Sequence, residues 1–459
     1  MAQIINKTVI YARIILPIIL LVVSPAHVQA QSVPQPDREQ LLNGLTILYA
    51  NRPGDPQVLL KLRIQSGAAF DLAGKGGSMA LLADAMFPES TTGEYVTEQL
   101  GGRFEVATSY DAIDVTISGK ATELERMIEL LRNALVNLNL SPENVATLRE
   151  AKIKKLTETQ SSISDVANRA IALRMFGTYP YAHPPEGTVE TVAKIERGDL
   201  MLARDRFLNA DNATLVVIGG VEKGRLMRAA RQILGPWQKS ERIVPATFRQ
   251  PGPIDSRVLL IDQPAAKNAE VRLAVRGLAR SDPDAAAASV LAAIARKRWQ
   301  ATMPGLSAVL VQHEAHGLQG MFVLGASVSP GSAAKAIGTA KEVLKAMAES
   351  GPSQEEVSEA LASRLVRAQQ PSPDESLADK WLDAETYKMP LSNLPADVKV
   401  ISPADIKRVA TRLFGDPAKQ AVVVLGNASE LKSQFGGQAE LPASLSKPGS
   451  NSSLPPGKP

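Results

Sequence analysis

Few residues in this chain could do chemistry. The 459 residues include four histidines and no cysteine, which excludes disulfides, thiolate metal sites, iron–sulfur clusters and a cysteine nucleophile. His313 and His316 lie close together, with Glu314 between them. A spacing of three, without a further His or Cys nearby, is a weak metal pattern. We therefore expect these residues to be polar groups on the surface.

Other catalytic patterns are absent or incomplete. His183 follows Tyr179-Pro180-Tyr181-Ala182, whose prolines and aromatic residues predict a turn. No G-x-S-x-G motif marks a serine nucleophile with a placed His and Asp. Gly74–Gly77 precedes a helical pattern but lacks the spacing and the Lys-Ser/Thr ending of a P-loop. The sequence thus indicates no catalytic, cofactor-binding or metal-ligating residue and implies no cofactor.

Strand and helix patterns that could position a site occur twice along the chain. The first set predicts strands Leu45–Tyr49, Val58–Ile64, Ala112–Ser118 and Thr214–Gly219 and helices Ser78–Met86, Glu123–Leu138, Pro142–Thr159 and Ile195–Arg206. The second predicts strands Val258–Asp262, Glu270–Arg276, Gly320–Val328 and Ala421–Gly426 and helices Asp284–Arg298, Ala333–Ser350, Glu355–Gln369 and Pro403–Leu413. We expect an α+β fold of two homologous halves, each of one or two β-sheet domains with helices packed on the sheet.

Composition divides the chain further. Lys7 and Arg13, an apolar run and the sequence Val28-Gln29-Ala30 are typical of a signal peptide at 1–30, cut after Ala30. The apolar run is shorter than the ~20 residues of a membrane span, which disfavours an uncleaved anchor. The halves then occupy 31–237 and 257–436, joined by a Pro/Gly-rich linker at 238–256, and 437–459 is predicted to be a disordered tail. We expect a periplasmic or secreted protein.

The charge balance argues against a nucleic-acid partner. Lys and Arg number 51 and Asp and Glu 47, giving a formal charge of +4. This excess is small for the length and forms no basic stripe. Contact with a membrane is expected only through the signal peptide.

Three stretches carry a resemblance to a known family. The first comprises GLTILYANRPGDPQVLLKLRIQSGAAFD, GKGGSMALLADAMF and EQLGGRFEVATSYD; the second runs from FGTYPYAHPPEGTVETVAKI to RFLNADNATLVVIGGV; the third is LIDQPAAKNAEVRLAVRGLARSDPD. In this order and spacing the chain resembles the pitrilysin/insulinase family of inverted-zincin metallopeptidases, which includes the mitochondrial processing peptidase and the bc1 core proteins. The resemblance implies the fold of the processing peptidase and of the metalloenzyme LuxS.

The family's zinc motif is not preserved. H-x-x-E-H places two imidazoles on one helix face, with the Glu as general base. The matching positions here read Ala80-Leu81-Leu82-Ala83-Asp84, and the third ligand, a Glu in the family, aligns with Leu148 beside Arg149. Asp84 alone supplies one ligand where zinc takes three from the protein. The resemblance therefore implies a degenerate metallopeptidase homologue that is not an enzyme on its own.

A second family feature, an Arg and a Tyr that clamp substrate, is not evident. With Gly305-Leu306 as the anchor, the Tyr position is Ala308 and the Arg position is Ala301. Arg296 or Arg298 could replace that Arg only if the alignment is shifted. The glycine-rich loop typical of non-catalytic processing subunits is also missing here. Asn212 is interpreted as a turn residue that leads into a strand.

The resemblance implies a role in peptide or protein processing through contacts with another protein. The expected partner is a zinc-bearing subunit of the same family, in a heterodimer that encloses a chamber for unstructured peptides. One alternative is a stand-alone periplasmic binding or scaffold protein. A second is a zinc metalloendopeptidase with an unrecognised site.

Overall fold

The computed structural model describes residues 33–88, 91–159, 162–240, 248, 250–368, 372–391 and 401–435. The predicted signal peptide at 1–30 and the predicted tail at 437–459 lie outside the described residues. No described helix is both long enough and apolar enough to cross a bilayer.

The first half forms one six-stranded sheet. Its strands are β1 (Asp37–Gln40), β2 (Thr46–Asn51), β3 (Gln57–Ile64), β4 (Phe104–Thr108), β5 (Ile113–Lys120) and β6 (Ala213–Gly219). Their order is β1-β2-β6-β3-β5-β4. Only β2 and β6 are parallel among these neighbours. The short β1 and β4 are therefore the edges; β1 is polar and largely exposed, and the side chains of β4 alternate between exposed and half-buried.

Eight helices accompany these strands among the described residues. They are α1 (Ser78–Met86), α2 (Thr92–Glu98), α3 (Leu124–Val136), α4 (Pro142–Thr159), α5 (Ile163–Phe176), α6 (Val189–Val192), α7 (Arg197–Phe207) and α8 (Lys223–Ile233). Helix α1 contacts α4 and α7 and lies against β4 and β5.

The second half repeats this plan. Its strands are β7 (Val258–Asp262), β8 (Ala269–Arg276), β9 (Ser307–His313), β10 (Met321–Val328) and β11 (Ala421–Gly426), in the order β7-β11-β8-β10-β9. Its helices are α9 (Ala285–Thr302), α10 (Ala333–Glu349), α11 (Gln354–Ala368), α12 (Pro373–Tyr387), α13 (Pro403–Phe414) and α14 (Ala428–Phe435). The parallel pair β7/β11 corresponds to β2/β6, and the other neighbours are antiparallel in both sheets. The predicted α+β fold of two homologous halves is confirmed.

One helix from each half covers the sheet of the other half. Helix α5 packs on β8 and β11, whereas α12 packs on β6 and β3. Trp381 of α12 is buried against Leu48, Leu59 and Val216, and its indole nitrogen donates to the Pro34 carbonyl at 2.8 Å. Both faces of the central strands are therefore covered, which explains why β6 and β11 are buried at every position.

The seam between the halves is aromatic and polar. Phe248, within the predicted linker, packs on Phe70 and Tyr179. Asp111 accepts hydrogen bonds from the Tyr387 hydroxyl (2.9 Å) and from the Gly317 amide (2.8 Å). The two sheets lie within 31–237 and 257–436, and the boundaries themselves stay predictions.

Candidate functional site

The helix at the zinc-motif position, α1, begins at a tight turn. Gly77 has a φ of 93°, a conformation that favours glycine. The Asp71 carboxylate accepts hydrogen bonds from the amides of Gly77 (2.6 Å) and Met79 (2.8 Å), which satisfies two of the free donors of the first turn. Burial raises the pKa of Asp71 to about 7, although these backbone donors oppose the shift.

The face that carries the zinc ligands in the family is apolar here except at one position. Ala80 and Ala83 are buried, with 1% and 2% of their surface exposed. Asp84 follows Ala80 by four residues and so lies on the same face of α1. Its side chain is 41% exposed. Helix α1 therefore has neither the first imidazole ligand, at Ala80, nor the carboxylate base, at Ala83.

The Asp84 carboxylate is paired with a lysine that sequence analysis missed. The Lys152 ammonium, on α4, lies 3.0 Å from Asp84 Oδ2 and also contacts the Glu186 carboxylate. Only 3% of the Lys152 side chain is exposed, against 43% for Glu186. Burial lowers the pKa of Lys152, but the two carboxylates outweigh it and the net shift is upward. A protonated amine therefore joins α1, α4 and the loop before α6.

The third-ligand position also lacks a donor. Leu148 is half-buried against the first core and lies one turn before Lys152 on α4. Arg149 turns away and donates to the Ile195 carbonyl at 3.0 Å. Two alanines, a leucine and a salt-bridged aspartate do not fit a zinc ion. Across the described residues, no three His, Asp or Glu side chains are grouped so as to hold a metal.

The histidine pair is not on the surface as expected. His313 ends β9, and its Nε2 accepts a hydrogen bond from the Leu278 amide at 2.9 Å. His316 lies between the rings of Tyr110 and Tyr181, with centroids 4.8 and 4.7 Å away. Both are half-buried, because the β9–β10 turn packs into the seam between the halves. One imidazole supports the strand end and the other fills an aromatic cluster, so the structure does not bring them together as ligands.

The other single residues have structural partners. His183 follows a 3-10 turn at Pro180–Ala182, in agreement with the turn predicted there. Its Nδ1 lies 3.4 Å from the Pro184 carbonyl oxygen. Burial lowers the pKa of His183. The Asn212 amide donates to Ser66 Oγ (3.1 Å) and to the Phe207 carbonyl (2.8 Å), which fits a turn residue before β6.

The clamp positions carry no chemistry. Ala301 and Ala308 are exposed, and Ala308 has a φ of 47°. The Arg298 guanidinium pairs with Glu356 of α11 at 2.7 Å, which commits it to that helix. Arg296 lines a cavity of about 550 Å³ between α9, β9 and α11.

Comparison with known proteins agrees with this geometry. Residues 46–189 match the family model described as insulinase (peptidase family M16), and residues 194–364 match the model described as the peptidase M16 inactive domain. The chain belongs to the insulinase family. The second match begins before α7 in the first half and extends into α11 of the second half.

Individual relatives include a subunit of the cytochrome b-c1 complex and bacterial proteases. The chain is 26% identical over 272 residues to human cytochrome b-c1 complex subunit 1, covering 58% of this chain and 56% of that protein. The chain thus spans about half the length of the curated relatives it matches. Among solved structures, a protease from Helicobacter pylori has a TM-score of 0.78 at 15% identity, covering 86% of this chain and 100% of the other. The periplasmic protease PqqL from Escherichia coli has a TM-score of 0.66 at 15% identity, covering 92% and 52%.

Proposed function

We propose that this insulinase-family chain is an exported, non-catalytic subunit that pairs with a zinc-bearing subunit of the same family. The observation that carries the proposal is the Lys152–Asp84 ion pair on the face where an active member holds its metal. An inverted zincin needs two imidazoles, an acidic third ligand and a carboxylate base at that place. This chain has none of them on α1 or at Leu148, while the scaffold around them is complete.

The lengths of the related structures support pairing. The chain aligns over 92% of its length with only 52% of PqqL. A second chain of similar length would supply the remainder of such an assembly. With the partner's zinc facing this chain's inner wall, this chain would contribute chamber closure and substrate positioning. Because Ala301 and Ala308 replace the clamp, it would add few contacts to the transition state.

Export is proposed from the N-terminal sequence. Residues 1–30 carry the cleavage pattern that ends at Ala30. N-terminal sequencing of protein recovered from the host envelope should begin near Gln31. Recovery of Met1 on the mature protein would contradict cleavage.

The pairing proposal is tested by reconstitution with a family member that retains H-x-x-E-H and is encoded beside this chain. Size-exclusion chromatography should show a heterodimer. We expect its interface to bury about 1,600 Å² or more, the area of a standard stable interface. Turnover of an unstructured peptide by the zinc subunit should rise when this chain is added. Metal analysis after dialysis should find zinc in the partner but no stoichiometric zinc in this chain. One tightly held zinc in this chain, with chelator-sensitive proteolysis, would refute the proposal.

The similarity to cytochrome b-c1 complex subunit 1 favours a second candidate, a stand-alone binding or scaffold protein. No complex with a family peptidase and no change in its turnover would support this second candidate.

A further inference from the structure

The place where α1, α4 and the loop at 184–187 meet, called the cleft below, contains one ammonium and two carboxylates. We infer that the Lys152 ammonium is a permanently tethered cation that replaces the family's metal ion in joining α1, α4 and the loop at 184–187. This inference concerns the architecture of the cleft and does not depend on the proposed partner.

Three segments far apart in sequence meet at this ammonium. Asp84 is on α1, Lys152 on α4 and Glu186 in the loop before α6. Asp84 occupies the position of the family's second imidazole ligand, and Lys152 lies one turn after the third-ligand position at Leu148, on the same face of α4. The cation therefore occupies the gap between the same two helices that a zinc ion would bridge.

The two carboxylates need a cation between them. Without Lys152 the two carboxylates would repel each other as like charges. This repulsion disfavours the contact between α1 and the loop at 184–187. The reverse also holds, because an ammonium with only 3% of its side chain exposed cannot remain charged without partners. The three groups thus stabilise one another and leave one net negative charge at the cleft.

The loop that carries Glu186 contacts the start of α1 through backbone atoms, with little room for side chains between them. A Cβ atom at Gly187 would lie 2.3 Å from the Gly76 carbonyl, and one at Gly77 would lie 2.7 Å from the Glu186 carbonyl. The Thr191 hydroxyl donates to the same Gly76 carbonyl at 2.8 Å. The ion pairs of Lys152 with Asp84 and Glu186 stabilise this backbone contact between the loop and α1. In a metal-binding member of the family, the metal ion could have the same effect.

The test compares charge removal with metal replacement in the full mature chain. Lys152→Met should lower the melting temperature by about 2–4 °C, because Asp84 and Glu186 lose the cation between them while both remain partly hydrated. Lys155→Met, on the exposed face of the same helix, is the matched control and should change it by less than about 1 °C. Lys152→Arg, which keeps the cation, should retain most of the stability.

Replacement by a free ion gives the second readout. Lys152→Ala should regain several degrees of melting temperature in millimolar Ca²⁺ or Mn²⁺, whereas the wild type and Lys152→Ala with Asp84→Asn should not. Should Lys152→Ala fail to fold, the triple variant Lys152→Met, Asp84→Asn, Glu186→Gln provides the test, and it should melt above Lys152→Met alone. A Lys152→Met variant as stable as Lys155→Met, no response of folded Lys152→Ala to either ion, or a triple variant no more stable than Lys152→Met would each overturn the inference.

Discussion

Single residues around α1 decide what the cleft can do. Ala80 and Ala83 remove a ligand and the base, and Asp84 is used by Lys152. Asp71 illustrates another effect, since a carboxyl group that caps α1 is also buried away from water. Its charge is stabilised by backbone donors and destabilised by burial, and the balance of the two makes α1 sensitive to pH.

The expected pH dependence of Asp71 has a definite sign. Its folded-state pKa of about 7 is above the ordinary value of 3.8, so the folded state binds the proton more tightly than the unfolded state. Its contribution to the free energy of unfolding is therefore complete below about pH 4 and is lost as pH rises through about 7. Asp71→Asn removes this dependence and costs about 1 kcal/mol, because the amide offers one acceptor oxygen where the carboxylate accepts a hydrogen bond at each of two.

Urea denaturation of wild type and Asp71→Asn at pH 5 and pH 8 measures this effect. Between pH 5 and pH 8, the free energy of unfolding of the variant should rise relative to that of wild type, because only wild type loses the Asp71 contribution over this range. Asp205→Asn, at an exposed position of α7, is the matched control. A difference between wild type and Asp71→Asn that is the same at both pH values would show that Asp71 stays ionised throughout.

At the scale of elements, α12 contacts the first half through an apolar centre around Trp381 and, among the described residues, through five ion pairs around it. Its acidic residues pair with basic residues of the first half: Arg38–Glu385, Arg52–Asp374, Lys61–Asp379, Arg63–Asp383 and Arg103–Glu375. These pairs differ strongly in burial. The side chains of Arg63 and Asp383 are 9% and 10% exposed, while that of Arg38 is 52% exposed.

Burial predicts which pair matters for stability. Arg63 donates to Asp114 at 2.7 and 2.9 Å and to Asp383 at 2.8 Å, and these carboxylates hold its pKa well above the usual range despite its burial. Arg63→Met should lower the free energy of unfolding by about 2–4 kcal/mol, because the half-buried Asp114 loses its partner and the buried Asp383 retains only Arg280. Arg38→Met should cost less than about 1 kcal/mol. Equal losses in chemical denaturation would contradict this ranking.

At the scale of the whole molecule, the exchanged helices make the halves interdependent. Without the second half, the face of β3 and β6 that packs on α12 would be exposed, and α5 would lose the sheet that it covers. Apolar surface of this kind causes association in water. The duplication therefore does not produce two independent domains.

A split chain tests this interdependence. Residues 31–237 expressed alone should aggregate or lack cooperative unfolding, whereas co-expression with 250–436 should yield a stable complex by size exclusion. The intact mature chain is the control. A monomeric first half that unfolds cooperatively would contradict the expectation.

The sequence by itself determined the local elements and the duplicated plan. Ser78–Met86, Pro142–Thr159, Val258–Asp262 and Ala421–Gly426 have the bounds predicted for them, because the spacing of apolar residues reflects which face is buried. The replacement of two zinc ligands at Ala80 and Leu148 and of the general base at Ala83 was also evident, since it depends on residue type at matched positions. By contrast, β1 has the sequence DREQ, which carries no apolar periodicity. Its strand conformation depends on pairing with β2.

Tertiary structure alone decided which distant residues meet. Nothing local in Lys152 indicates that it pairs with Asp84 on another helix and Glu186 on a loop. The same is true of α12 on the first sheet and of His316 between two tyrosines. Burial periodicity is a property of one segment, whereas an ion pair or an exchanged helix depends on the positions of segments that chain order does not specify. The apolar pattern of the sequence therefore predicted the scaffold, and long-range packing placed a lysine beside the positions at which the family binds its metal.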